Sequence, residues 1–403
     1  MSKDELINSF SDKIKTKKEI SILILNAPCH GFGDVIFAFK LKRYLNEWYP
    51  FATVKISSTK SDNFLSIGEN PNDLIQLTST SKELQCRRFG RLNINDNTNK
   101  FDLIFVAPLQ ADYDPSYRDI KTLIPYSNST NTFFFSEYND DNSKDIDFHT
   151  GIGRKKYGLL FTKMPSSILN DNLFLESINL KKNEYAVCYI ADSIVNMRQC
   201  YYSFFEMVSK KYILKKLKRS NTSNTSNTFT IVIPPSLISD IKESQSILKK
   251  LFKYVSTIVL VTKKGSERFE DLNFKDNNIN NILYLRADIL PVKNSEMITL
   301  MFNSVSDILV TGDQSITDVL SCCPKKNIWY QIAPWKESFG RQLSINMPQK
   351  YLKRKKTSCG TLQAIGMKSN YKDFVKKYDF RRLAKPKLNR IINMAIMSIM
   401  KNK

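Results

Sequence analysis

The segment Ser306–Leu320 combines residue types that could bind an anion. Its short apolar run Ile308–Val310 is followed by the turn pair Thr311-Gly312, and apolar residues then recur at helical spacing. This order predicts a buried strand, a tight turn and a helix with Asp313 or Ser315 as its N-cap. The first-turn N–H groups and the positive end of the helix dipole would form an anion site. An ordinary strand–helix turn with a good cap explains the same residues equally well.

A second glycine-containing turn lies near the N-terminus, directly after the predicted strand Ile20–Leu25. It reads Asn26-Ala27-Pro28-Cys29-His30-Gly31-Phe32-Gly33-Asp34, and an amphipathic helix follows as far as Leu45. The glycines allow a ligand to approach the backbone closely, and Asp34 at the helix start is either a general base or a simple N-cap. The turn is G-x-G-D rather than G-x-G-x-x-G, and no P-loop motif occurs. Dinucleotide oxidoreductases and P-loop enzymes are therefore not favoured.

The two histidines of the chain also lie beside glycines. His30 belongs to the first turn, and His149 opens the run His149-Thr150-Gly151-Ile152-Gly153-Arg154. His149 is the second candidate for a general base, because histidine titrates near neutral pH. We expect His30, Thr150, Gly151, Gly153 and Arg154 to form cleft loops that contact an acceptor or a phosphate. Either histidine could equally be a structural loop residue.

The elements that position these turns follow a strand–helix rhythm. The predicted strands after the first are Val54–Ser57, Asp102–Ala107, Tyr185–Ile190, Phe229–Ile233, Thr257–Val261, Ile282–Leu285 and Asp307–Val310. The predicted helices between the later strands are Tyr201–Leu217, Leu237–Tyr254 and Ser295–Val305. Residues 108–150 are predicted to be irregular, and Ser220–Thr228 is a low-complexity loop. The alternation predicts an α/β fold with two Rossmann-like domains whose parallel sheets face a cleft. We place the domains at 1–195 and 196–380, followed by a C-terminal basic and apolar helix at 381–403.

Length and composition agree with two domains and limit the class of protein. The chain has 403 residues, of which 42% are hydrophobic and 25% charged, enough for a large core. Neither a bilayer-spanning run nor a signal-peptide core is present, so we expect a cytoplasmic protein. Seven cysteines without a CxxC pair favour reduced thiols over disulfides or a zinc site. The net charge is +22, and the last 63 residues carry 17 Lys and Arg against 2 Asp and Glu.

At family level, the segment Asn26–Leu45 resembles the first strand, loop and helix of inverting GT-B glycosyltransferases, such as bacterial heptosyltransferases and protein-arginine rhamnosyltransferases. Ile289–Ser315 resembles the donor-diphosphate segment of the rhamnosyltransferases, whose turn reads Gly-Glu-Asp-Ser where this chain has Gly312-Asp313-Gln314-Ser315. The resemblance implies a GT-B fold, one motif in each domain, and inverting transfer of a sugar from a nucleotide-sugar donor without a metal cofactor.

Under this hypothesis the residues take distinct roles. Asp34, or failing it His149, accepts the acceptor's proton. The donor and phosphate site is predicted at Gly31, Gly33, Gly312, Asp313, Gln314 and Ser315. Backbone N–H groups at the second turn suit a diphosphate better than the Asp313 carboxylate, which we expect to orient the turn or bind a sugar hydroxyl.

Three alternatives remain open. Asp112-Tyr113-Asp114 is the D-x-D pattern with which another class of glycosyltransferase binds Mn²⁺ or Mg²⁺. Alternatively, the chain is a basic protein that binds nucleic acid or an anionic surface through Tyr351–Lys356 and Arg381–Arg390. The last predicted helix, from Lys385 onward, either packs on the N-terminal domain or lies on an anionic membrane surface.

Overall fold

The computed structural model describes residues 20–28, 32–79, 92–94, 100–109, 120–121, 123–140, 146–190, 200–213, 227–270, 281–333, 336–347, 352–357, 360–365 and 371–401. Within these residues the chain forms two β-sheets flanked by helices, an α/β architecture.

The first sheet has six strands in the order β4-β3-β2-β1-β5-β6. Their bounds are β1 Ile20–Asn26, β2 Ala52–Ser58, β3 Leu74–Ser79, β4 Leu92–Ile94, β5 Leu103–Leu109 and β6 Thr132–Ser136. All pairs are parallel except β3 with β4. Strand β1 is central and buried on both faces: Ile22 and Ile24 face one hydrophobic cluster, whereas Leu23 and Leu25 face another.

The helices of this first unit and the connection to the second follow in chain order. They are α1 Gly33–Trp48, α2 Ser61–Ser66, α3 Ser166–Leu169 and α4 Asn172–Ser177. Helix α1 buries Phe37, Leu41 and Tyr44, which lie on one face of the helix, in the same hydrophobic cluster as Ile22 and Ile24 of β1.

The second sheet has nine strands in the order β10-β9-β11-β8-β7-β12-β13-β15-β14. The strands are β7 Tyr185–Tyr189, β8 Thr228–Val232, β9 Thr257–Thr262, β10 Gly265–Glu270, β11 Ile282–Arg286, β12 Asp307–Thr311, β13 Asn327–Ile332, β14 Leu352–Thr357 and β15 Gly360–Ile365. The six inner strands from β9 to β13 are parallel, and antiparallel strands complete both edges. The expected two parallel-sheet units are therefore present.

The remaining helices follow in chain order. They are α5 Cys200–Val208, α6 Ile238–Glu243, α7 Gln245–Leu251, α8 Asn294–Asn303, α9 Asp313–Cys322, α10 Glu337–Asn346, α11 Lys372–Tyr378 and α12 Phe380–Lys401. One hydrophobic cluster contains residues of both units, including Phe37 of α1 and Ile316 of α9. The two sheets are thus joined by a shared core.

Helix α12 returns to the first unit. The Phe380 ring stacks on Tyr44 and Trp48 of α1, with ring centroids 6.1 and 6.4 Å away. The Phe380 backbone N–H donates to the Leu159 carbonyl at 3.0 Å. The expectation that the last helix packs on the N-terminal unit is met over this first part of α12.

Several predicted elements differ from the structure. Thr132–Ser136 is a strand, although residues 108–150 were expected to be irregular, because its three consecutive phenylalanines pair with β5 and fill the core. Strand β5 passes through Pro108 to Leu109 instead of ending at Ala107. The helix predicted over Leu237–Tyr254 is broken at Ser244, whose φ of −96° and ψ of 86° are not helical.

The second sheet also contains a strand that precedes residue 195. Strand β7 lies between β8 and β12, so the second sheet includes residues ahead of the boundary predicted at residue 195. The domain limits themselves stay a prediction. The helix predicted over Tyr201–Leu217 is an α-helix only to Val208 and continues as a π-helical turn, Ser209–Ile213.

Candidate active site at the junction of the two sheets

The backbone of the turn between β12 and α9 is accessible to a ligand. Gly312 precedes the helix as its N-cap with φ of 87° and ψ of 155°, and no side chain caps the helix. A β-carbon built on Gly312 would meet no atom within 4 Å, so the space beside the turn is free. The prediction that Asp313 or Ser315 is the N-cap is wrong, since both lie inside the first helical turn. An uncapped helix N-terminus beside open space can receive an anion.

The turn between β1 and α1 has a similar form. Helix α1 begins at Gly33 with Phe32 as its N-cap, again without a side-chain cap. Asp34 is therefore a half-buried residue of the first turn, and the simple N-cap interpretation does not apply. Asn26 at the end of β1 donates to the backbone oxygens of Asp34 at 3.2 Å and Ala107 at 2.9 Å, which fixes the start of α1 at the carboxyl edge of the sheet. His30 and Gly31 lie outside the described residues.

The two turns lie at the same end of the molecule. The Lys40 ammonium of α1 donates to the Thr317 hydroxyl of α9 at 3.1 Å. About one turn further along each helix, Tyr44 of α1 and Cys322 of α9 donate to the neighbouring backbone carbonyls of Phe161 and Thr162. Helices α1 and α9 therefore run side by side in the same direction, with both N-termini at the junction of the sheets.

A cluster of three buried charges connects the sheets beside this junction. We call Glu137, Asp313 and Lys336 the junction cluster. The Lys336 ammonium is 2.8 Å from Asp313 Oδ2 and also contacts the Glu137 carboxylate. Glu137 follows β6 of the first sheet, whereas Asp313 and Lys336 follow β12 and β13 of the second. The carboxyl ends of strands from both sheets, where α/β proteins bind ligands, thus meet here.

The junction cluster has one cation for two carboxylates, which alters its protonation. Burial raises the pKa of Asp313, and the Glu137 charge adds to this, while Lys336 opposes both. The two carboxylates in turn hold the pKa of Lys336 well above its ordinary value, against the effect of its burial. Lys336 stays charged, and Asp313 takes up a proton more readily than an exposed aspartate does.

Three buried polar atoms around the turn have no hydrogen-bond partner within the described residues. They are Asp313 Oδ1, Gln314 Oε1 and the Tyr330 hydroxyl. The exposed fractions of these residues are only 8%, 5% and 0%, so bulk water does not satisfy them. Unpaired buried polar groups are rare in stable structures and point to a molecule that completes their hydrogen bonds. Two of the three atoms are acceptors, which matches a ligand with hydroxyl donors.

A second buried charge pair lies deeper between α1 and α9, and here every group is satisfied. The Lys40 ammonium lies 2.6 Å from Asp318 Oδ1 and also donates to Thr317 and to the Leu160 carbonyl. The Asp318 carboxylate accepts further bonds from Thr162 at 2.6 Å and Asn294 at 3.2 Å. We call these groups the closed pair. It has no unpaired atom for a ligand to complete.

The loop that begins at His149 has structural contacts of its own. Phe148 and Thr150 point inward and are fully buried, so the half-buried His149 side chain between them faces the other side. Burial and the Lys387 charge lower the pKa of His149. The Asn139 side chain donates to the Ile152 carbonyl at 2.7 Å and accepts from the Ile152 backbone N–H at 2.9 Å.

The two glycines of this loop have φ of 122° (Gly151) and 140° (Gly153), which L-residues rarely adopt. A β-carbon on Gly151 would lie 2.5 Å from the Asn139 side chain. Arg154 is exposed. The contacts of Thr150, Gly151 and His149 are thus with β6, its following loop and α12, not with the turn at Gly312. Their ligand roles stay a prediction.

The residues behind the metal-binding and nucleic-acid-binding alternatives lie in different parts of the chain. Asp112 and Asp114 lie outside the described residues, and within those described no group of three His, Cys, Asp or Glu side chains could hold a metal ion. Of the proposed phosphate contacts, Arg381 forms a bidentate bond to Asp379, and Arg382 donates to the carbonyls of Lys376 and Lys377. Among the described residues, no helix is both long enough and apolar enough to span a bilayer.

Sequence reasoning missed the residues that connect the sheets. Glu137, Lys336 and Tyr330 belong to no motif, and only the tertiary fold brings them to the Asp313 turn. Lys40 did carry a signal. It lies at helical spacing among Phe37, Leu41 and Tyr44 on the buried face of α1, where a lysine requires a partner.

Comparison with known proteins gives matches at the level of overall arrangement. No family model and no curated protein matches this chain. Among solved structures it is similar to E. coli heptosyltransferase WaaC with ADP-2-deoxy-2-fluoro heptose, at 8% identity over 72% of this chain and 82% of that one, with a TM-score of 0.31. The same enzyme with ADP gives 8% identity over 78% and 88%, with a TM-score of 0.33. A glycosyl transferase family 9 protein from Veillonella parvula DSM 2008 gives 11% identity over 72% and 80%, with a TM-score of 0.33. Values this low do not assign the chain to a family.

Proposed function

We propose that this chain is a nucleotide-sugar-dependent glycosyltransferase of the GT-B type, with its active site at the junction of the two sheets. The observation that carries the proposal is the pair of uncapped helix N-termini, α1 with Asp34 and α9 with the open turn at Gly312, at the same end of two parallel helices. One N-terminus provides a base and the other an anion site, which are the two functions that glycosyl transfer requires.

On the donor side, the α9 N-terminus is suited to the diphosphate. The first-turn N–H groups, including those of Gln314 and Ser315, and the Ser315 hydroxyl would bind phosphate oxygens, while the positive φ of Gly312 keeps the approach open. Lys336, held between Asp313 and Glu137, would be a charged hydrogen-bond donor beside the leaving group. The unpaired oxygens of Asp313 and Gln314 would accept hydrogen bonds from hydroxyl groups of the donor sugar.

On the acceptor side, Asp34 would take the proton from the attacking nucleophile. A single displacement by that nucleophile breaks the bond between the sugar and the diphosphate, inverts the anomeric carbon and leaves the charge on the diphosphate. We propose that this step needs no metal ion, because a helix N-terminus and Lys336 can stabilise the developing negative charge. His149 is the second candidate base.

The donor half of the proposal is tested by binding. A thermal-shift screen with UDP, GDP, dTDP, ADP and CMP and their sugars would identify the nucleotide, and calorimetry would then measure its affinity. We expect Ser315→Ala to weaken nucleoside-diphosphate binding about 10-fold, as loss of one charge-assisted hydrogen bond should. Ser321→Ala is the matched control, because Ser321 lies at the far end of the same helix and bonds only within the helix among the described residues. Equal affinity in both variants would place the phosphate site elsewhere.

The catalytic half is tested by turnover with the donor found in that screen. Asp34→Asn should reduce turnover by about 100-fold or more while leaving donor affinity unchanged, because only a proton acceptor is lost. Asp62→Asn is the control, since Asp62 is the first-turn acid of α2. Unchanged turnover in Asp34→Asn would remove Asp34 from the mechanism and favour His149. Activity should also survive EDTA; loss that Mn²⁺ restores would favour Asp112 and Asp114 as metal ligands.

A further inference from the structure

The last helix changes character along its length. In its first part, Phe380, Ala384, Leu388, Ile391 and Ile392 are buried against the rest of the protein. In its last part, Met394, Met397 and Met400 are 57%, 52% and 64% exposed. Ala395, Ile396 and Ile399 of this last part still pack on the core, so the methionines are exposed on the opposite side of the helix.

Five of the seven exposed residues from Arg390 to Lys401 form one stripe. Arg390, Met394, Met397 and Lys401 are spaced by four, three and four residues, which places them in line on one face of a helix. Met400 lies beside Met397 on the same side, roughly opposite the buried residues at about 100° per residue. We call Arg390, the three methionines and Lys401 the methionine stripe. Two apolar turns bounded by a cation at each end are typical of helices that lie in a lipid headgroup region.

The surroundings of the stripe are positively charged. Residues 371–401 contain nine Lys and Arg against Asp373 and Asp379, and Asp379 is paired with Arg381. The exposed basic residues of this segment include Lys376, Lys377, Arg382, Lys385 and Arg390. This charge complements an anionic surface. Nucleic acid is also anionic, but binding to it would leave the three methionines in water.

We propose that the methionine stripe binds the surface of an anionic membrane, with the methionine side chains inserted among the lipids and Arg390 and Lys401 against the headgroups. The helix is held to α1 of the first unit by Phe380, which stacks on Tyr44 and Trp48, and by Asn389, which accepts a hydrogen bond from the Tyr49 hydroxyl at 2.6 Å. Contact with a membrane therefore does not require the helix to detach. The protein would bind the membrane from one side without crossing it. This proposal is independent of the catalytic function.

The test is sedimentation of the full chain with two kinds of vesicle. One contains phosphatidylcholine alone, and the other also contains about 30 mol% of the anionic lipid phosphatidylglycerol. We expect binding to the anionic vesicles, little binding to neutral ones, and a decrease as salt is raised. The variant Met394→Ser/Met397→Ser/Met400→Ser should bind anionic vesicles at least about 10-fold more weakly, because it removes the inserting side chains but no charge.

A matched variant separates this effect from a general loss of surface hydrophobicity. Leu173→Ser/Ile345→Ser removes two side chains that are 75% and 65% exposed elsewhere on the molecule. It should bind vesicles like the parent. Equal binding by the methionine variant and the parent, or an equal loss in both variants, would overturn the proposal. So would failure of the parent to bind anionic vesicles at low salt, or a methionine-dependent dimer in light scattering without vesicle binding.

Discussion

The junction cluster and the closed pair both contain a lysine and an aspartate of α9, and they differ in whether all their polar atoms are hydrogen-bonded. Each joins the first unit to helix α9 through a buried lysine, and their aspartates, Asp313 and Asp318, lie five residues apart on that helix. In the closed pair, Lys40 and Asp318 have all their hydrogen bonds within the protein. In the junction cluster, two carboxylates share Lys336 and Asp313 Oδ1 has no partner within the described residues.

This difference indicates different roles. A buried charge pair whose hydrogen bonds are all satisfied fixes how two units pack. It has no unpaired polar atom that a ligand could bind. A buried cluster with an excess carboxylate and unpaired acceptors is costly by itself, and such groups are concentrated at functional sites. We therefore assign the closed pair to structure and the junction cluster to the proposed donor site.

The largest effect is expected when the closed pair is broken. Lys40→Met leaves the Asp318 carboxylate buried without its cation, so the free energy of unfolding should fall by about 3–5 kcal/mol. Urea unfolding would measure it. Lys40→Met/Asp318→Asn should recover part of the loss, because no unpaired charge remains. A loss below about 1 kcal/mol in the single variant would show that water or a rearrangement already satisfies Asp318.

A smaller loss of stability and a larger loss of binding are expected at the junction cluster. Lys336→Met should cost less stability than Lys40→Met, because the raised pKa of Asp313 lets that carboxyl neutralise itself by taking up a proton. Nucleoside-diphosphate affinity should fall by about 10- to 100-fold as a charged donor disappears. Unfolding and calorimetry on the same preparation would measure both. If Lys336→Met kept full nucleoside-diphosphate affinity but lost as much stability as Lys40→Met, Lys336 would have a purely structural role like that of Lys40.

Single polar groups sharpen the comparison. Thr162→Val removes a bonded partner of Asp318 and should lower the free energy of unfolding by about 1–2 kcal/mol. Tyr330→Phe removes a hydroxyl that has no partner in the described residues, so its effect on unfolding should stay within about 0.5 kcal/mol. Thermal or urea unfolding of the two variants decides the matter. A destabilisation by Tyr330→Phe as large as that by Thr162→Val would mean that the Tyr330 hydroxyl is bonded.

The protonation of Asp313 should also make stability depend on pH. A raised pKa means that folded Asp313 binds a proton more tightly than the unfolded chain does, so its contribution is present at low pH and lost as pH rises through the raised pKa. The free energy of unfolding of the parent, relative to Asp313→Asn, should therefore fall with pH above about 4, by at most about 1.4 kcal/mol per pH unit. Unfolding curves at several pH values would measure it. A rise with pH would mean that the Lys336 charge outweighs burial and Glu137.

The sequence by itself determined the local elements and the two turns. The buried strands β1, β5 and β12 are short apolar runs, and the turns that follow β1 and β12 are marked by glycine, so pattern alone located them to within one or two residues. It also indicated the repeated α/β units. The aromatic run of β6 was missed because polar residues on both sides hid a strand whose formation depends on pairing with β5.

Only the tertiary structure decided which charges meet. Glu137, Asp313 and Lys336 are far apart in the chain and converge because strands from two different sheets end at the same place. Asp34 and Gly312 share one end of the molecule because α1 and α9 pack in parallel. No local pattern encodes the direction of one helix relative to another that begins about 280 residues away in the chain. Side-chain periodicity fixes which face of a helix is buried. The partner of that face is fixed by long-range packing, which only the folded chain contains.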